Sequence, residues 1–324
     1  MSRRRQLETD TLCSVTLESD EGLRAVLLNR GATIRSLVVP AAGGPVDVVL
    51  SYCDDDDYLS DGYYLGTTVG PFANRIRGAR FELDGEPFEL DANERPAGHC
   101  LHGGSAGLHQ CLFELHTDAR GKRVECRTEL AHGVGGFPGN RSVRVAYELL
   151  TPRALAIDFR VTTDRDTVVS LANHAYFNLG GPLEDHEIRL FADAFTPVHA
   201  SKIPTGEIRP VADTSFDLRS PSELGERKFD HNFVLSGRRN EARPAAELRL
   251  ASTGLHMNLY TTQPGLQLYT GDYLDAPFTP RQGLCLEAQG FPDAPNQPRF
   301  PSARLAAGSR YRQRTIYEFP ELSD

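Results

Sequence analysis

The feature that most constrains the fold of this chain is an alternation of apolar and polar residues with a period of two, which recurs from end to end. Between residues 154 and 163, Leu155, Ile157 and Phe159 alternate with smaller or charged residues. Successive side chains of a β-strand point to opposite faces, so this pattern predicts a strand with one buried face. The stretch 80–90, RFELDGEPFEL, alternates on both sides of an Asp-Gly dipeptide that tolerates positive φ, and it predicts a hairpin.

Short strands of this kind recur with turn signals about every ten residues, which is typical of an antiparallel sandwich or barrel. Residues 151–153, TPR, are one such predicted connection. Helical patterns are limited to residues 54–61 and 221–227, a turn or two each. No low-complexity linker or internal repeat divides the chain. The sequence therefore predicts an all-β protein, one large antiparallel β-sandwich with very little helix, as a single domain over residues 1–324.

The charge and composition exclude several classes of partner. A net charge of -9 argues against nucleic acid or an anionic membrane, both of which need a basic surface. No run approaches the ~20 apolar residues of a membrane span, and no apolar stretch follows the basic N-terminus as in a secretory signal. We therefore expect a cytoplasmic location, in which scattered cysteines without a CxxC pair are reduced thiols: Cys13, Cys53, Cys100, Cys111, Cys126 and Cys285.

Two strand-like stretches carry polar residues where an apolar row would pack better. The segment 171–181, LANHAYFNLGG, places His174 between two asparagines. Such a histidine is either a core group with satisfied hydrogen bonds or a proton donor whose tautomer the neighbouring amides select. In LCLEAQGFPDAPNQPRFP, Glu287 and Gln289 lie on one face if the strand continues. Glu287 is either a plain edge-strand residue or a buried carboxylate that needs a partner.

Three further clusters have the same ambiguity. In GPFANRIRGARF, Asn74 and Arg75 interrupt an apolar pattern, and the arginine is either a surface cation or a planar donor to a ligand. In HCLHGG, His102 precedes two glycines, which permit a tight turn or a close approach of the backbone to a ligand. In KFDHNFVLSG, Asp230 and His231 form either a capping turn or part of a site.

Zinc is a further possibility for the region around His102, because several potential ligands fall within 13 residues: His99, Cys100, His102, His109 and Cys111. Their spacing fits no common ligand pattern, since structural zinc sites prefer paired CxxC or HxxxH units. We therefore expect no metal here.

Together the clusters offer a carboxylate, imidazoles, an arginine, an aspartate and several amides. That set suits a neutral, polyhydroxylated ligand and supplies a general base and a general acid. The chain contains no nucleophilic triad, no phosphate-binding P-loop and no dinucleotide fingerprint. Sugar chemistry is the economical interpretation.

The same segments resemble, in order, the signature blocks of the aldose 1-epimerases, also called galactose mutarotases: GTTVGPFANRIRG, LHGG, NHAYFNLGG, FDHNF, LQLYTGDYL and LEAQGFPDAPNQPRFPS. They run from about residue 66 to 303, and AAGSRYRQRTIYEF resembles the family's last strand. The resemblance implies a galactose mutarotase-like supersandwich with an open sugar cleft. It also implies interconversion of the α and β anomers of free aldohexoses such as glucose and galactose, without cofactor or metal.

The resemblance also implies roles for individual residues. Glu287 is the general base that removes the proton of the C1 hydroxyl, and His174 is the general acid that protonates the ring oxygen. His102 is a second imidazole that donates a hydrogen bond near these atoms. Four residues match positions that bind the sugar hydroxyls: Asn74, Arg75, Asp230 and Gln267. Tyr176 and Asn178 match the motif, and we expect them to orient the residues that touch the sugar.

These roles carry an expectation about acidity. Unperturbed Glu and His side chains titrate near ~4.3 and ~6.5. Because His174 must be protonated to donate, we expect a nearby carboxylate or carbonyl to raise its pKa. Activity should then follow a bell-shaped pH profile, with Glu287 governing the acid limb and the histidine the alkaline limb.

Departures from the family pattern leave alternatives open. The chain has no tryptophan after LHGG, where HQCLFEL stands, and NERPAGHC differs from the usual loop before LHGG. One alternative is a hexose-6-phosphate 1-epimerase that holds phosphate with Arg75, Arg77 and Arg80. A sugar-binding protein without catalysis is the second. A glycoside hydrolase with Asp230 and Glu287 as its two carboxylates is the third. Sugar preference and oligomeric state are not determined by the sequence.

Overall fold

The structure, a computed structural model, describes residues 11–237 and 241–321. In these ranges every helix is a 3₁₀ helix, and none has the length or apolarity needed to cross a membrane: Asp55–Leu59, Arg77–Ala79, Gly104–Ala106, Leu108–Gln110, Val134–Gly136, Leu183–Asp185 and Ala294–Asn296. The remaining elements are strands: β1 (Ser14–Glu18), β2 (Arg24–Leu28), β3 (Thr33–Val39), β4 (Val46–Asp47), β5 (Thr68–Val69), β6 (Arg75–Ile76), β7 (Arg80–Leu83), β8 (Glu86–Glu89), β9 (Cys100–Leu101), β10 (Glu114–Thr117), β11 (Arg123–Leu130), β12 (Arg141–Thr151), β13 (Ala154–Thr163), β14 (Thr167–Val168), β15 (Ala172–Asn173), β16 (Tyr176–Phe177), β17 (Glu187–Leu190), β18 (Ala192–Thr196), β19 (Arg209–Pro210), β20 (Ser222–Glu223), β21 (Asp230–Leu235), β22 (Arg243–Leu250), β23 (Leu255–Thr261), β24 (Gly265–Tyr269), β25 (Leu284–Gln289), β26 (Arg304–Leu305) and β27 (Arg310–Glu318).

Two large antiparallel sheets and a smaller N-terminal sheet form the framework. The nine-stranded sheet has the order β10-β11-β12-β13-β27-β23-β22-β17-β20, and the six-stranded sheet has the order β16-β25-β24-β21-β18-β19. Strands β1 to β4 form a four-stranded sheet in chain order. The predicted hairpins are confirmed, since β7 pairs with β8 and β12 with β13 across the predicted turns.

The core lies where these sheets meet. One continuous apolar cluster contains Val145 and Ile157 of the nine-stranded sheet, Phe233 and Leu266 of the six-stranded sheet, and Ile34 of the N-terminal sheet. Each such side chain is essentially inaccessible to water and contributes about 1.5–3 kcal/mol by burial. The period-two pattern therefore places the apolar face of most long strands in this shared layer. The predicted all-β sandwich is confirmed.

Strand β25 departs from the simple pattern because all six of its residues are buried. Leu284, Leu286 and Ala288 belong to the core between the sheets. The alternate positions, which include Glu287 and Gln289, point to the opposite face of the six-stranded sheet. That face is covered by the loops between the strands, so polar side chains on it are removed from water and kept close together.

One local expectation is wrong. Residues 55–59 form the short helical turn expected near 54–61, but residues 221–227 contain no helix. Ser222 and Glu223 instead pair with Ile188 and Glu187 at the edge of the nine-stranded sheet. Hydrogen bonds to a neighbouring strand outweigh the weak helical preference of so short a segment. All six cysteines are free thiols.

Candidate active site

A cleft of about 230 Å³ opens on the face of the six-stranded sheet that bears Glu287. Its walls come from β21, β24 and β25 and from the loops around residues 62–64, 74–75, 101–102 and 174–176. The cleft brings together seven residues singled out from the sequence: Asn74, Arg75, His102, His174, Tyr176, Asp230 and Glu287.

Glu287 lies in a polar row that crosses three strands. Asn232 pairs with Gln267, and Gln267 pairs with Glu287, so the three side chains share one face of the sheet. Glu287 is 2% exposed, and its Oε2 atom has no hydrogen-bond partner among the described residues. Burial, reinforced by the negative charge of Asp230, raises the pKa of Glu287 to about 8. A carboxyl group in this state holds its proton in neutral solution until a ligand changes its surroundings.

His174 faces Glu287 across the floor of the cleft. Its Nε2 atom lies 3.8 Å from Glu287 Oε1, and its Nδ1 atom lies 3.5 Å from Cys285 Sγ. Asn173 orients the segment, because its amide donates to Gly66 O at 2.8 Å and its oxygen accepts from the Ala175 N–H at 3.2 Å. The side chain of Asn173 is therefore used to hold the backbone that presents the imidazole.

The expected acidity of His174 is wrong in direction. Burial lowers its pKa to about 4, and a backbone hydrogen bond and Asp230 oppose this only in part. The physical reason is that the sequence identifies the neighbouring charges but not how completely they are shielded from water. With Glu287 raised and His174 lowered, the pair holds one shared proton across the neutral range.

His102 has its tautomer set by the backbone. Its Nδ1 atom accepts the Asn74 N–H at 3.2 Å, so in the neutral ring the hydrogen is on Nε2, which is a donor. Burial, followed by the neighbouring His174 and Arg75, lowers the pKa of His102 well below its usual value and keeps the ring neutral. The rings of His102 and His174 are 5.2 Å apart, so both reach the same small volume.

The backbone around His102 is unusually tight. Asn74 and His102 have φ of +63° and +53°, a region that non-glycine residues seldom occupy. A Cβ on Gly103 would lie 2.2 Å from Gly70 O, so this position requires glycine. The LHGG motif therefore brings the loop close to residue 70 and holds the imidazole in place.

Arg75 is bound by a residue that the sequence reasoning missed. Its Nε lies 2.9 Å from each carboxylate oxygen of Glu94, and its Nη2 lies 2.6 Å from Oε1. The two side chains are 13% and 23% exposed. Burial lowers the pKa of Arg75, but the Glu94 hydrogen bonds and the nearby carboxylates outweigh it and give a net increase. Glu94 belongs to NERPAGHC, the loop before LHGG. The difference between this loop and the family pattern was the sequence signal for it.

Asp230 and Gln267 form a second polar group. Gln267 donates from Nε2 to Asp230 Oδ1 at 2.7 Å, and Lys202 Nζ lies 3.5 Å from Asp230 Oδ2. Asp230 lines the cleft, whereas Gln267 does not. The buried Oε1 of Gln267 has no partner among the described residues.

The two residues expected to support the site differ in position. Tyr176 lines the cleft itself, with its ring 5.2 Å from that of His174 and its hydroxyl donating to Tyr63 O at 3.1 Å. Asn178 does not line the cleft. Its amide donates to Gln282 O at 2.7 Å and its oxygen accepts the N–H groups of residues 180 and 181, so it holds the turn after β16.

Aromatic side chains complete the walls, and the sequence reasoning did not identify them. The Tyr64 ring lies 4.6 Å from that of His102 and 5.8 Å from that of His174. Tyr269 and Tyr273 also line the cleft. Their only sequence signal was a high density of tyrosine next to turn residues in YYLG and LYTGDYL.

Three of the residues also have the composition of a metal site. Within the described ranges, the one group of potential ligands is His102, His174 and Glu287, whose ligand atoms lie within 4.8 Å of one another. A histidine that binds metal through one nitrogen usually donates a hydrogen from the other. His102 Nδ1 instead accepts the Asn74 N–H, so His102 fits a hydrogen-bond donor better than a metal ligand. In the described part of the chain, the cysteines and histidines of residues 99–111 form no such group with one another.

The chain is similar in sequence to proteins of one family. The family model described as aldose 1-epimerase matches residues 14–318. The chain is 39% identical to a galactose mutarotase of Sus scrofa over 94% of its length and 92% of that protein. It is 32% identical to an aldose 1-epimerase of Escherichia coli strain K12, covering 94% of each chain.

Solved structures have the same fold. An aldose epimerase homologue from C. elegans superposes with a TM-score of 0.91 at 29% identity, covering 97% of this chain and all of that one. A galactose 1-epimerase from Lactobacillus acidophilus superposes with a TM-score of 0.87 at 26% identity, covering 99% of each chain.

Proposed function

The chain belongs to the aldose 1-epimerase family, isomerases that act on sugars, and we propose that the Glu287 cleft interconverts the α and β anomers of free aldohexoses. The observation that carries this proposal is the placement of Glu287 and His174, buried and 3.8 Å apart, with one shared proton. Ring opening needs a base at the C1 hydroxyl and an acid at the ring oxygen, and the two groups are adjacent in the sugar.

In the proposed reaction, Glu287 removes the proton of the C1 hydroxyl while His174 protonates the ring oxygen and the C1–O5 bond breaks. Rotation about C1–C2 then exposes the other face of the aldehyde, and reclosure reverses both transfers. His102, a neutral donor through Nε2, stabilises negative charge that develops on an oxygen between the imidazoles. The microscopic reversibility of the two transfers allows one pair to serve both anomers.

The burial of Glu287 and His174 favours the open-chain intermediate of this reaction. Ring opening starts with ionised Glu287 and protonated His174, and it ends with a neutral carboxyl and a neutral imidazole. The low and high pKa values of His174 and Glu287 show that burial favours the neutral pair. Desolvation thus lowers the free energy of the open-chain state relative to the closed sugar with an ionised pair, while the shared proton must first move from Glu287 to His174.

The remaining polar groups suit sugar hydroxyls. We propose that Asn74, Arg75 and Asp230 bind the hydroxyls directly and that Gln267 orients Asp230. The tyrosine rings offer apolar faces to the C–H groups of the sugar. Tyr176 supports His174, and Asn178 acts only through the turn that it holds.

The charge balance of the cleft favours a neutral sugar over a hexose 6-phosphate. Arg75 is already paired with Glu94, so it has little attraction left for a phosphate. Arg77 and Arg80 are exposed and do not line the cleft. We propose glucose and galactose as substrates, in line with the relatives named galactose mutarotase, and no cofactor. A cytoplasmic location accords with the six free thiols.

The test is the change in optical rotation of freshly dissolved α-D-glucose and α-D-galactose. We expect the wild type to accelerate it and Glu287→Gln to reduce kcat by about 10³- to 10⁴-fold, while calorimetry still detects sugar binding. Full activity of Glu287→Gln would exclude it as the base. Binding by the wild type without acceleration would instead favour a sugar-binding protein, and acceleration with the 6-phosphates alone would favour the phosphorylated substrate.

A further inference from the structure

The outer face of the nine-stranded sheet carries an unusual row of arginines. Strand register places Arg127 opposite Arg144, Arg144 opposite Arg160, and Arg160 opposite Arg312, so four arginines occupy facing positions on one side of the sheet across β11, β12, β13 and β27. Arg310, two residues before Arg312 on β27, lies on the same face and opposite Thr162. Like charges directly opposite each other destabilise a sheet, so this row costs stability in the absence of an anion.

Carboxylates on the same face neutralise only part of the row. Arg127 lies 2.5 Å from Glu125, and the same carboxylate is 3.8 Å from Arg144. One position along, Arg314 is bound by Asp158 at 3.0 Å. For Arg160, Arg310 and Arg312, no carboxylate lies within ion-pair distance in the part of the chain that the structure describes. The unbalanced charge is thus on β13 and β27, at the end of the row away from Glu125, on a protein whose net charge is -9.

Two of the unbalanced arginines, Arg160 and Arg310, line a depression of about 130 Å³ together with Ser142, Arg144 and Thr162. Every polar side chain in this lining donates hydrogen bonds, and none is a carboxylate. We propose that the depression is a binding site for a phosphate group. Planar guanidinium groups and hydroxyls match the oxygens of a phosphate, and a dianion would relieve the repulsion within the row.

The geometry favours a small oxyanion over a neutral sugar or a long polyanion. The lining has no acceptor carboxylate or amide, whereas the sugar cleft contains both. Glu125 and Glu129 lie on the same face beside Arg127, so the positive region is bounded on that side and does not continue as a track. The apolar core separates the depression from Glu287, so the site is independent of the proposed epimerase chemistry.

Calorimetric titration of inorganic phosphate, in chloride buffer at fixed ionic strength, tests the proposal. We expect saturable binding to the wild type and a loss of affinity of about tenfold or more in the double variant Arg160→Gln and Arg310→Gln. Arg314→Gln is the matched control, because it removes an arginine of the same face that Asp158 already pairs. It should bind phosphate within about twofold of the wild type, and all variants should retain sugar mutarotation and their circular dichroism.

Two further arms complete the test. Titration with glycerol 3-phosphate tells whether the phosphate group that binds belongs to a phosphomonoester or to free phosphate. Tighter binding of either one supports the site and identifies its ligand. Sulfate is also a tetrahedral dianion, so it should bind the same site and lose affinity in the double variant. The proposal is overturned if the wild type shows no saturable binding at about 10 mM phosphate, or if the double variant binds as well as the wild type.

Discussion

Arginine is used in opposite ways in the two regions of this molecule. In the cleft, Arg75 is largely buried and held by both oxygens of Glu94. On the outer face of the nine-stranded sheet, Arg160 is exposed, lies between Arg144 and Arg312, and pairs with no carboxylate among the described residues. The same side chain is therefore balanced in one place and unbalanced in the other.

The difference indicates what each region can bind. A balanced arginine keeps its hydrogen-bond geometry but attracts charge weakly, which suits the hydroxyls of a neutral sugar. Unbalanced arginines attract a dianion, and their mutual repulsion is relieved when one binds. Substitutions in the cleft should therefore change turnover, whereas substitutions on the outer face should change only stability and anion binding.

After the loss of Glu287, the largest effect is expected for His174, the acid of the cleft. His174→Asn removes the group that protonates the ring oxygen, so kcat should fall by about 10²- to 10⁴-fold with little change in sugar affinity. Polarimetry at saturating sugar measures it. Asn178→Ala, in the same sequence motif but outside the cleft, is the control and should keep kcat within a few-fold of the wild type. Similar losses in both variants would mean that the motif acts only through folding.

The pH dependence of kcat/KM should follow the titration of the proton that His174 and Glu287 share. Below about pH 4 His174 also gains a proton, and above about pH 8 Glu287 loses the proton that the pair shares. The catalytic form therefore exists between these values, and kcat/KM should fall by about tenfold per pH unit outside them. This assigns the acid limb to the histidine and the alkaline limb to the glutamate, the reverse of the sequence-based expectation. An acid limb near pH 6.5 would show instead that His174 is not shielded from water.

Glu94→Gln should make the cleft resemble the outer face, because Arg75 then keeps its charge without a counter-charge. We expect KM for glucose to rise several-fold while kcat changes less, and hexose 6-phosphates to become better inhibitors. The free energy of unfolding should fall by about 1–2 kcal/mol, less than for a fully buried pair. Glu82→Gln, an exposed residue of β7, is the control. Unchanged KM and unchanged inhibition would remove Glu94 from the determinants of specificity.

The smallest effect is expected on the outer face. Arg160→Thr relieves repulsion at two cross-strand positions and introduces a residue that favours strands, so the free energy of unfolding should rise by about 0.2–1 kcal/mol at low salt. The gain should shrink as salt screens the charges. Urea unfolding at low and at high salt measures the gain and its salt dependence. Arg314→Thr is the comparison, because this substitution breaks the pair with Asp158 and should not stabilise the protein. Destabilisation by Arg160→Thr would show that the row does not repel.

Much of the fold could be predicted because strands and hairpins depend on local properties. Alternation identified β13, and the Asp-Gly dipeptide identified the hairpin of β7 and β8. The segment 221–227 was predicted incorrectly because its pairing with β17 is set by residues far away in the chain. In the same way, the residue types around Glu287 indicated sugar chemistry, but Glu94 and Tyr64 were missed because nothing local places them beside Arg75 and His102.

The sequence by itself determined the class of fold, the family and the polar residues from which the cleft is built, since these depend on periodicity and on side-chain chemistry. Only the tertiary structure decided their surroundings. Burial sets the pKa directions of His174 and Glu287, and it depends on how loops cover the six-stranded sheet. Register sets which arginines face one another, and a shift of one residue would have dispersed the row. Both are properties of distances between segments that are remote in the chain, which a linear pattern does not contain.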